Sequence, residues 1–311
     1  MGPTTKFETP NRRITTFAAP PRDFNPVSAT ANQLAVYGIP RRPDAVQEPG
    51  LRKLWDRAFS RPVQFIQAEL VEDKVWRTLP HGALKPADFG LAGNWAGGIV
   101  EVSSLGLNPT EPATMVFAEW VVPTISTTPQ LAGSQTIGFW VGLGGWGTSQ
   151  VLQAGTAATV NGNSVSYWAW TEWYPAGYQV SNLPVQPGDT VSVLVCAPQS
   201  DHGYVSMMNY RTSQAISVGV SDPNGTAAYD GSSVEWVIEA INTEMPNFGS
   251  VTFTQLSAGT KNHAITLAHA FTANTKSGIF TLATGEVLAA QNEVKVIYDP
   301  VHIQKVVKTR I

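Results

Sequence analysis

The sequence predicts an all-β fold for its last two-thirds, a two-sheet sandwich or a closed barrel, and three observations carry that prediction. Charged residues make up only 14% of the 311, against roughly 25% in an ordinary soluble domain. The chain is broken often, by 27 Gly and 22 Pro. From about Gly93 onward, short runs rich in β-branched and aromatic residues alternate with turn residues, and no helical periodicity lies between them.

Residues 1–44, rich in Pro, Thr and Arg, lack sustained periodicity and read as an extended or disordered lead-in. After Pro49, Leu51, Leu54, Trp55, Ala58 and Phe59 recur at helical spacing, which predicts one short amphipathic helix. Its apolar face has no core of its own and is expected to dock on the β region. Strands are predicted at Met115–Val122, Thr136–Gly142, Ser164–Tyr174, Thr190–Cys196, Ser233–Glu239, Val251–Leu256 and Glu293–Tyr298. Gln186-Pro187-Gly188-Asp189 and Asp222-Pro223-Asn224-Gly225 are turns, because Pro fixes φ and Gly or Asn tolerates φ > 0. The change of pattern divides the chain into an N-terminal region, 1–90, and a β domain, 91–311. Charge divides at the same place: 13 Lys+Arg against 9 Asp+Glu before it, a net +4, and 7 against 14 after it, a net −7.

Several function classes are excluded at this level. No apolar run reaches the roughly 18 residues of a membrane span, so no membrane association is expected. The first 30 residues hold no apolar stretch of the kind a secretory signal needs. Cys196, the only cysteine, rules out an internal disulfide and reads as a buried strand residue. Acidic residues interrupt the basic ones around Arg12-Arg13 and Arg41-Arg42, so no nucleic-acid partner is expected. Gly142-Leu143-Gly144-Gly145-Trp146-Gly147 fits the dinucleotide fingerprint, but strand-like Thr148–Leu152 follows where a helix is required. His263 and His269 would share a strand face, yet no third ligand is in view, so neither a metal nor another cofactor is expected.

The few carboxylates are more informative. Alternation along Ser233–Glu239 puts Glu235, Val237 and Glu239 on one face and Trp236 and Ile238 on the other. Along Tyr167–Tyr174 it puts Trp168, Trp170, Glu172 and Tyr174 together. A glutamate among aromatic rings on a concave sheet suits general acid–base work, since desolvation raises its pKa; a surface ion pair gives the same pattern.

Five segments in order decide between these. Asn94-Trp95-Ala96-Gly97-Gly98, Trp140-Val141-Gly142-Leu143, Val151-Leu152-Gln153-Ala154-Gly155, Trp170-Thr171-Glu172-Trp173-Tyr174-Pro175 and Glu235-Trp236-Val237-Ile238-Glu239 resemble motifs of the eqolisin-type glutamic peptidases. The resemblance spans roughly residues 93–256. It implies a jelly-roll-like sandwich of two curved antiparallel sheets, of the shape seen in concanavalin A-like lectins. It also implies acid endopeptidase activity on polypeptides, an extracellular setting, and Gln153 and Glu239 as the catalytic pair. On that assignment Glu239 is the general base and Gln153 positions the water and stabilises the oxyanion, while Trp95, Trp140, Trp170, Glu172 and Tyr174 line the cleft. Gly144, Ala157, Trp168 and Ala240 stand where the family carries further acidic residues, which thins the acidic shell. The base is expected to ionise near the free-Glu value of about 4.3, for an optimum of roughly pH 3–5. The charge split adds a further expectation: residues 1–90 form an inhibitory prosegment lying across the acidic cleft, the alternative being a permanent N-terminal domain that covers apolar surface. The alternatives are a carbohydrate-binding sandwich that uses the tryptophans for stacking and a glycosidase that uses Glu172 and Glu239.

Overall fold

The computed structural model describes residues 6–8, 13–72, 93–107, 111–126, 133–222, 225, 229–241, 245–277 and 280–300. The N-terminal region contributes β1 (Lys6–Glu8), β2 (Ile14–Phe17), α1 (Ala31–Val36), α2 (Pro49–Ala58), β3 (Gln64–Phe65) and β4 (Leu70–Glu72). The strands that follow are β5 (Trp95–Glu101), β6 (Ala113–Val121), β7 (Gln135–Gly144), β8 (Val151–Asn161), β9 (Ser164–Tyr174) and β10 (Gln179–Ser181). Next come β11 (Thr190–Cys196), β12 (His202–Asn209), β13 (Gln214–Ser221), β14 (Ser233–Ala240) and β15 (Ser250–Thr260). The last are β16 (Ala264–Ile265), β17 (Phe271–Ser277), β18 (Phe280–Leu288) and β19 (Glu293–Tyr298).

Two antiparallel sheets stack face to face. The back sheet runs β13–β12–β11–β6–β15, and the front sheet runs β10–β9–β8–β7–β14–β5–β17. Strands β18 and β19 join β17 to β15 and so link the two sheets along one side. Alternation fills the space between them with apolar side chains from both inner faces. Val116, Val193, Val205 and Val218 of the back sheet meet Val141, Leu152, Trp236 and Ile238 of the front sheet in one core. This is the expected all-β sandwich. The turn at Gln186–Asp189 is present, closed by the Asp189 N–H donating to the Gln186 carbonyl at 3.1 Å, with Gly188 at φ 84°. Of the Asp222–Gly225 turn, Pro223 and Asn224 lie outside the described residues.

One expectation about the N-terminal region changes and another holds. Residues 13–44 are not a disordered lead-in. Strand β2 pairs with β13, and α1 is opened by a Thr30–Gln33 capping box. The predicted helix at 49–58 docks as expected, burying Leu51, Leu54, Trp55 and Ala58. It lies on the outer face of the back sheet, against Met115, Phe117, Leu194, Cys196, Met208 and Ala215. The described residues 13–65 are therefore on the far side of the sandwich from the front sheet's outer face. Only β4 reaches the front sheet, pairing with its edge strand β10; residues 73–92 lie outside the described residues.

The histidine pair also falls apart. His263 sits in the turn before β16, its ring 3.4 Å from Glu111, and His269 ends a 3-10 turn at Leu267–His269. Among the described residues no group of three or more His, Cys, Asp or Glu could hold a metal ion, and no helix is long and apolar enough to cross a membrane.

Candidate active site

All seven site residues singled out in the sequence lie on the strands of the front sheet, and strand parity turns Gln153, Glu172, Trp140, Trp170, Trp95, Glu239 and Tyr174 to its outer face. Antiparallel register arranges them in rows across the strands. One row reads Ile99–Glu235–Gly142–Gln153–Glu172. The next reads Gly97–Val237–Trp140–Gly155–Trp170. The third reads Trp95–Glu239–Gly138–Ala157–Trp168. Tyr174 ends β9 one row on the other side, opposite Val151.

Gln153 and Glu239 are thus two rows apart, and the register does not bring them together. Four residues along a strand are about 13 Å, to which two strand spacings of about 4.8 Å each must be added sideways. Glu235 shares the row of Gln153, with Gly142 alone between them. Their backbones are about 10 Å apart, and the residue between them has no side chain. A Cβ on Gly142 would lie 3.3 Å from Glu235 Oε2 and 2.8 Å from the Trp140 ring, so glycine is what leaves this space.

The hydrogen bonds separate the two glutamates further. Glu239 is engaged on both oxygens: Asn94 Nδ2 donates to Oε1 at 2.6 Å and Trp140 Nε1 donates to Oε2 at 3.1 Å. Glu235 is fully buried, and among the described residues neither carboxyl oxygen has a hydrogen-bond partner. Burial pushes its pKa well above the usual carboxylate range, and Asp230 adds like-charge repulsion. The Ser233 hydroxyl, on the same face, offsets part of this without reaching bonding geometry to either oxygen. Gln153, also fully buried, donates from Nε2 to Glu172 Oε2 at 2.8 Å, and its Oε1 has no partner. Glu172 therefore sets the orientation of the Gln153 amide. Three buried oxygens in this row, one on Gln153 and two on Glu235, have no hydrogen-bond partner among the described residues, and Gly142 stands between the two residues.

Aromatic rings wall the site. Trp95 stands edge-on to Trp140 at 4.9 Å and Trp146 at 6.2 Å from Trp95 continues the wall to Phe271. Trp170 is edge-on to Tyr178 at 6.1 Å. The Gly142–Gly147 stretch ends β7 and turns into β8 with no helix behind it, which removes the dinucleotide reading.

The Peptidase A4 family model matches residues 93–298, a range that holds the whole front sheet from β5 onward. The chain belongs to the Peptidase A4 family. Aspergillopepsin-2 of Aspergillus niger is 27% identical over 188 residues, covering 53% of this chain and 64% of that protein, so the chain spans just under two-thirds of that relative. In fold, the chain is similar to scytalido-glutamic peptidase crystallised with a transition state analog inhibitor, with a TM-score of 0.55 at 22% identity over 66% of this chain and 98% of that one. It is also similar to SCP-B, a member of the Eqolisin family of peptidases seen with the tripeptide Ala-Ile-His, with a TM-score of 0.53 at 21% identity and coverage of 66% and 98%. Residues 1–92 fall outside the Peptidase A4 match.

Proposed function

We propose that the chain is an acid endopeptidase whose working pair is Gln153 and Glu235, not Gln153 and Glu239. The observation that carries this is the shared row: a buried amide and a buried carboxyl, in register on either side of Gly142, with one amide oxygen and both carboxyl oxygens unpartnered among the described residues. Ionised Glu235 accepts a proton from a water held between it and Gln153 Oε1. The water oxygen bonds to the scissile carbonyl carbon, and the charge that moves to the carbonyl oxygen is met by the Gln153 N–H not committed to Glu172. Glu235 then returns its proton to the departing amine as the C–N bond breaks. One oxyanion donor of this kind is worth about 3–4 kcal/mol.

Glu172 is then a positioning residue, and Glu239 a structural one that anchors Asn94 and the Trp140 indole. The substrates are polypeptides met outside the cell. The carbohydrate-stacking alternative loses support because the tryptophan faces are not offered to solvent: Trp140 is 0%, Trp170 6% and Trp95 7% exposed. A Glu172–Glu239 glycosidase would need two carboxyls that lie in separate rows and are both already bonded. The test is digestion of a denatured protein across acid pH, with and without pepstatin, read by peptide mass spectrometry. Failure to cut any peptide bond refutes the activity.

A further inference from the structure

We infer that residues 13–72 are a permanent backing of the sandwich, not a removable cover for the site, and that they remain bound as a second polypeptide when the chain is cut between Glu72 and Trp95. This is independent of the peptidase reading, and it stands on position, packing, edge pairing and charge.

Position comes first. Helix α2 rests on the outer face of the back sheet, while Gln153 and Glu235 occupy the outer face of the front sheet. With stacked layers about 10 Å apart, the helix lies about 20 Å from the row that holds the pair. It cannot plug a site on the other side of two sheets.

Packing makes the contact a core and not a loose association. Leu51, Leu54, Trp55, Ala58 and Phe59 form one buried cluster with the apolar outer residues of β6, β11, β12 and β13. Without the segment, Met115, Phe117, Leu194 and Met208 would form a contiguous apolar patch of the kind soluble proteins seldom expose. The β region is also shaped for its partner. Gly259 on β15 is bare where Leu51 approaches, and a Cβ there would sit 2.9 Å from Leu51 Cδ2. The Trp55 indole is satisfied within the segment, donating to the Pro40 carbonyl at 2.9 Å.

Edge pairing fixes the segment at three separated places. β2 pairs antiparallel and β3 pairs parallel with β13, the edge of the back sheet, and β4 pairs with β10, the edge of the front sheet. Asn182, just past β10, holds the approach to β4, accepting from the Glu69 N–H at 3.0 Å and donating to the Gln67 carbonyl at 3.2 Å. Removing the segment would strip both sheets of edge partners at once.

Charge points the same way. Three basic side chains of the segment are paired within it: Arg41 with Glu48, and Arg42 and Arg52 with Asp56. Arg61 reaches β6 on the back sheet, pairing with Glu119 at 3.0 Å and lying over the Tyr210 ring at 4.2 Å. None of these contacts lies on the cleft, so none of them is a latch across it, and the apolar cluster they surround does not titrate.

The test places a recognition sequence for a sequence-specific protease between Glu72 and Trp95 in the full-length Glu235→Gln chain. The folded protein is cut, and size-exclusion chromatography is run at neutral and at acid pH without denaturant. The two fragments are expected to co-elute at the volume of the uncut protein at both pH values, separate only in denaturant, and melt in a single transition. Release of the N-terminal fragment at acid pH, leaving a soluble sandwich with unchanged melting temperature, would overturn the inference. Neither readout uses catalysis, so the outcome is distinct from that of the digestion assay.

Discussion

Replacing the two glutamates one at a time should produce opposite phenotypes. In Glu235→Gln the amide cannot take the water's proton, and loss of a general base costs about 10²–10⁴ in kcat, or about 3–5 kcal/mol of transition-state stabilisation. The fold should not suffer. The carboxyl is fully buried, without a hydrogen-bond partner among the described residues, and disfavours its charged form, so a neutral isostere removes a liability at neutral pH. In Glu239→Gln the order reverses. Both oxygens of Glu239 accept from N–H donors, and an amide can satisfy one of them only by turning its own NH₂ against the other. One buried hydrogen bond is lost and two donors are opposed, a cost of about 1–3 kcal/mol, or roughly 2–10 °C in Tm for a domain of this size. Its turnover, measured where it is folded, should stay within about tenfold of wild type, since the Asn94 and Trp140 contacts only buttress the site. Initial rates on a quenched peptide library and melting curves on the same preparations give both numbers. An inactive, stably folded Glu239→Gln beside a Glu235→Gln of near-normal turnover would refute the pairing drawn here.

Gly142→Ala should fold but turn over poorly. Its methyl meets the Trp140 ring at 2.8 Å and Glu235 Oε2 at 3.3 Å, an overpacking cost of about 1–3 kcal/mol, while occupying the space where water must sit; normal kcat would show that the gap is not used. Glu235, its pKa raised by burial, stabilises the fold below the unfolded-state value and loses that contribution as pH rises through the folded one. Wild-type Tm should therefore fall relative to Glu235→Gln between acid and neutral pH, and parallel Tm curves would remove the shift. The same burial places the acid limb of kcat/KM above the free-Glu value of about 4.3, and a pH–rate profile reads it directly. Trp55→Ala, which empties the centre of the back-face cluster, should destabilise by about 3–5 kcal/mol in denaturant titration.

Much of this was legible in the residues themselves. Period-2 alternation and turn chemistry located β6, β7, β9, β11, β14, β15 and β19 but not β12, β13 or β18. Parity alone put Glu235, Glu239, Trp170 and Glu172 on correct faces. Parity, however, does not give the row. Which glutamate meets Gln153 depends on how β14 registers against β7 and β7 against β8, a non-local choice that no segment encodes by itself. A signal was present: Trp140 and Gly142 share a face, so the pairing that brings the Trp140 indole to Glu239 also sets Gly142 opposite Glu235. The first 44 residues failed differently. A four-residue strand and a six-residue helix that buries only Leu34 are too short for periodicity to register, although Thr30 and Gln33 at capping-box spacing marked the helix start.

The order in which the front sheet is completed has a consequence for the life of the newly made chain. β7, β8 and β9 are consecutive hairpin partners, so Gln153 meets Glu172 through contacts that are close in sequence. β14 arrives from far along the chain and inserts between β5 and β7, the kind of distant pairing that is slow to form. Until it does, the amide is set but has no base beside it. A chain still being synthesised, surrounded by unfolded polypeptide including its own, is on this reading unable to cut anything, and hydrolytic competence is the last property the fold acquires.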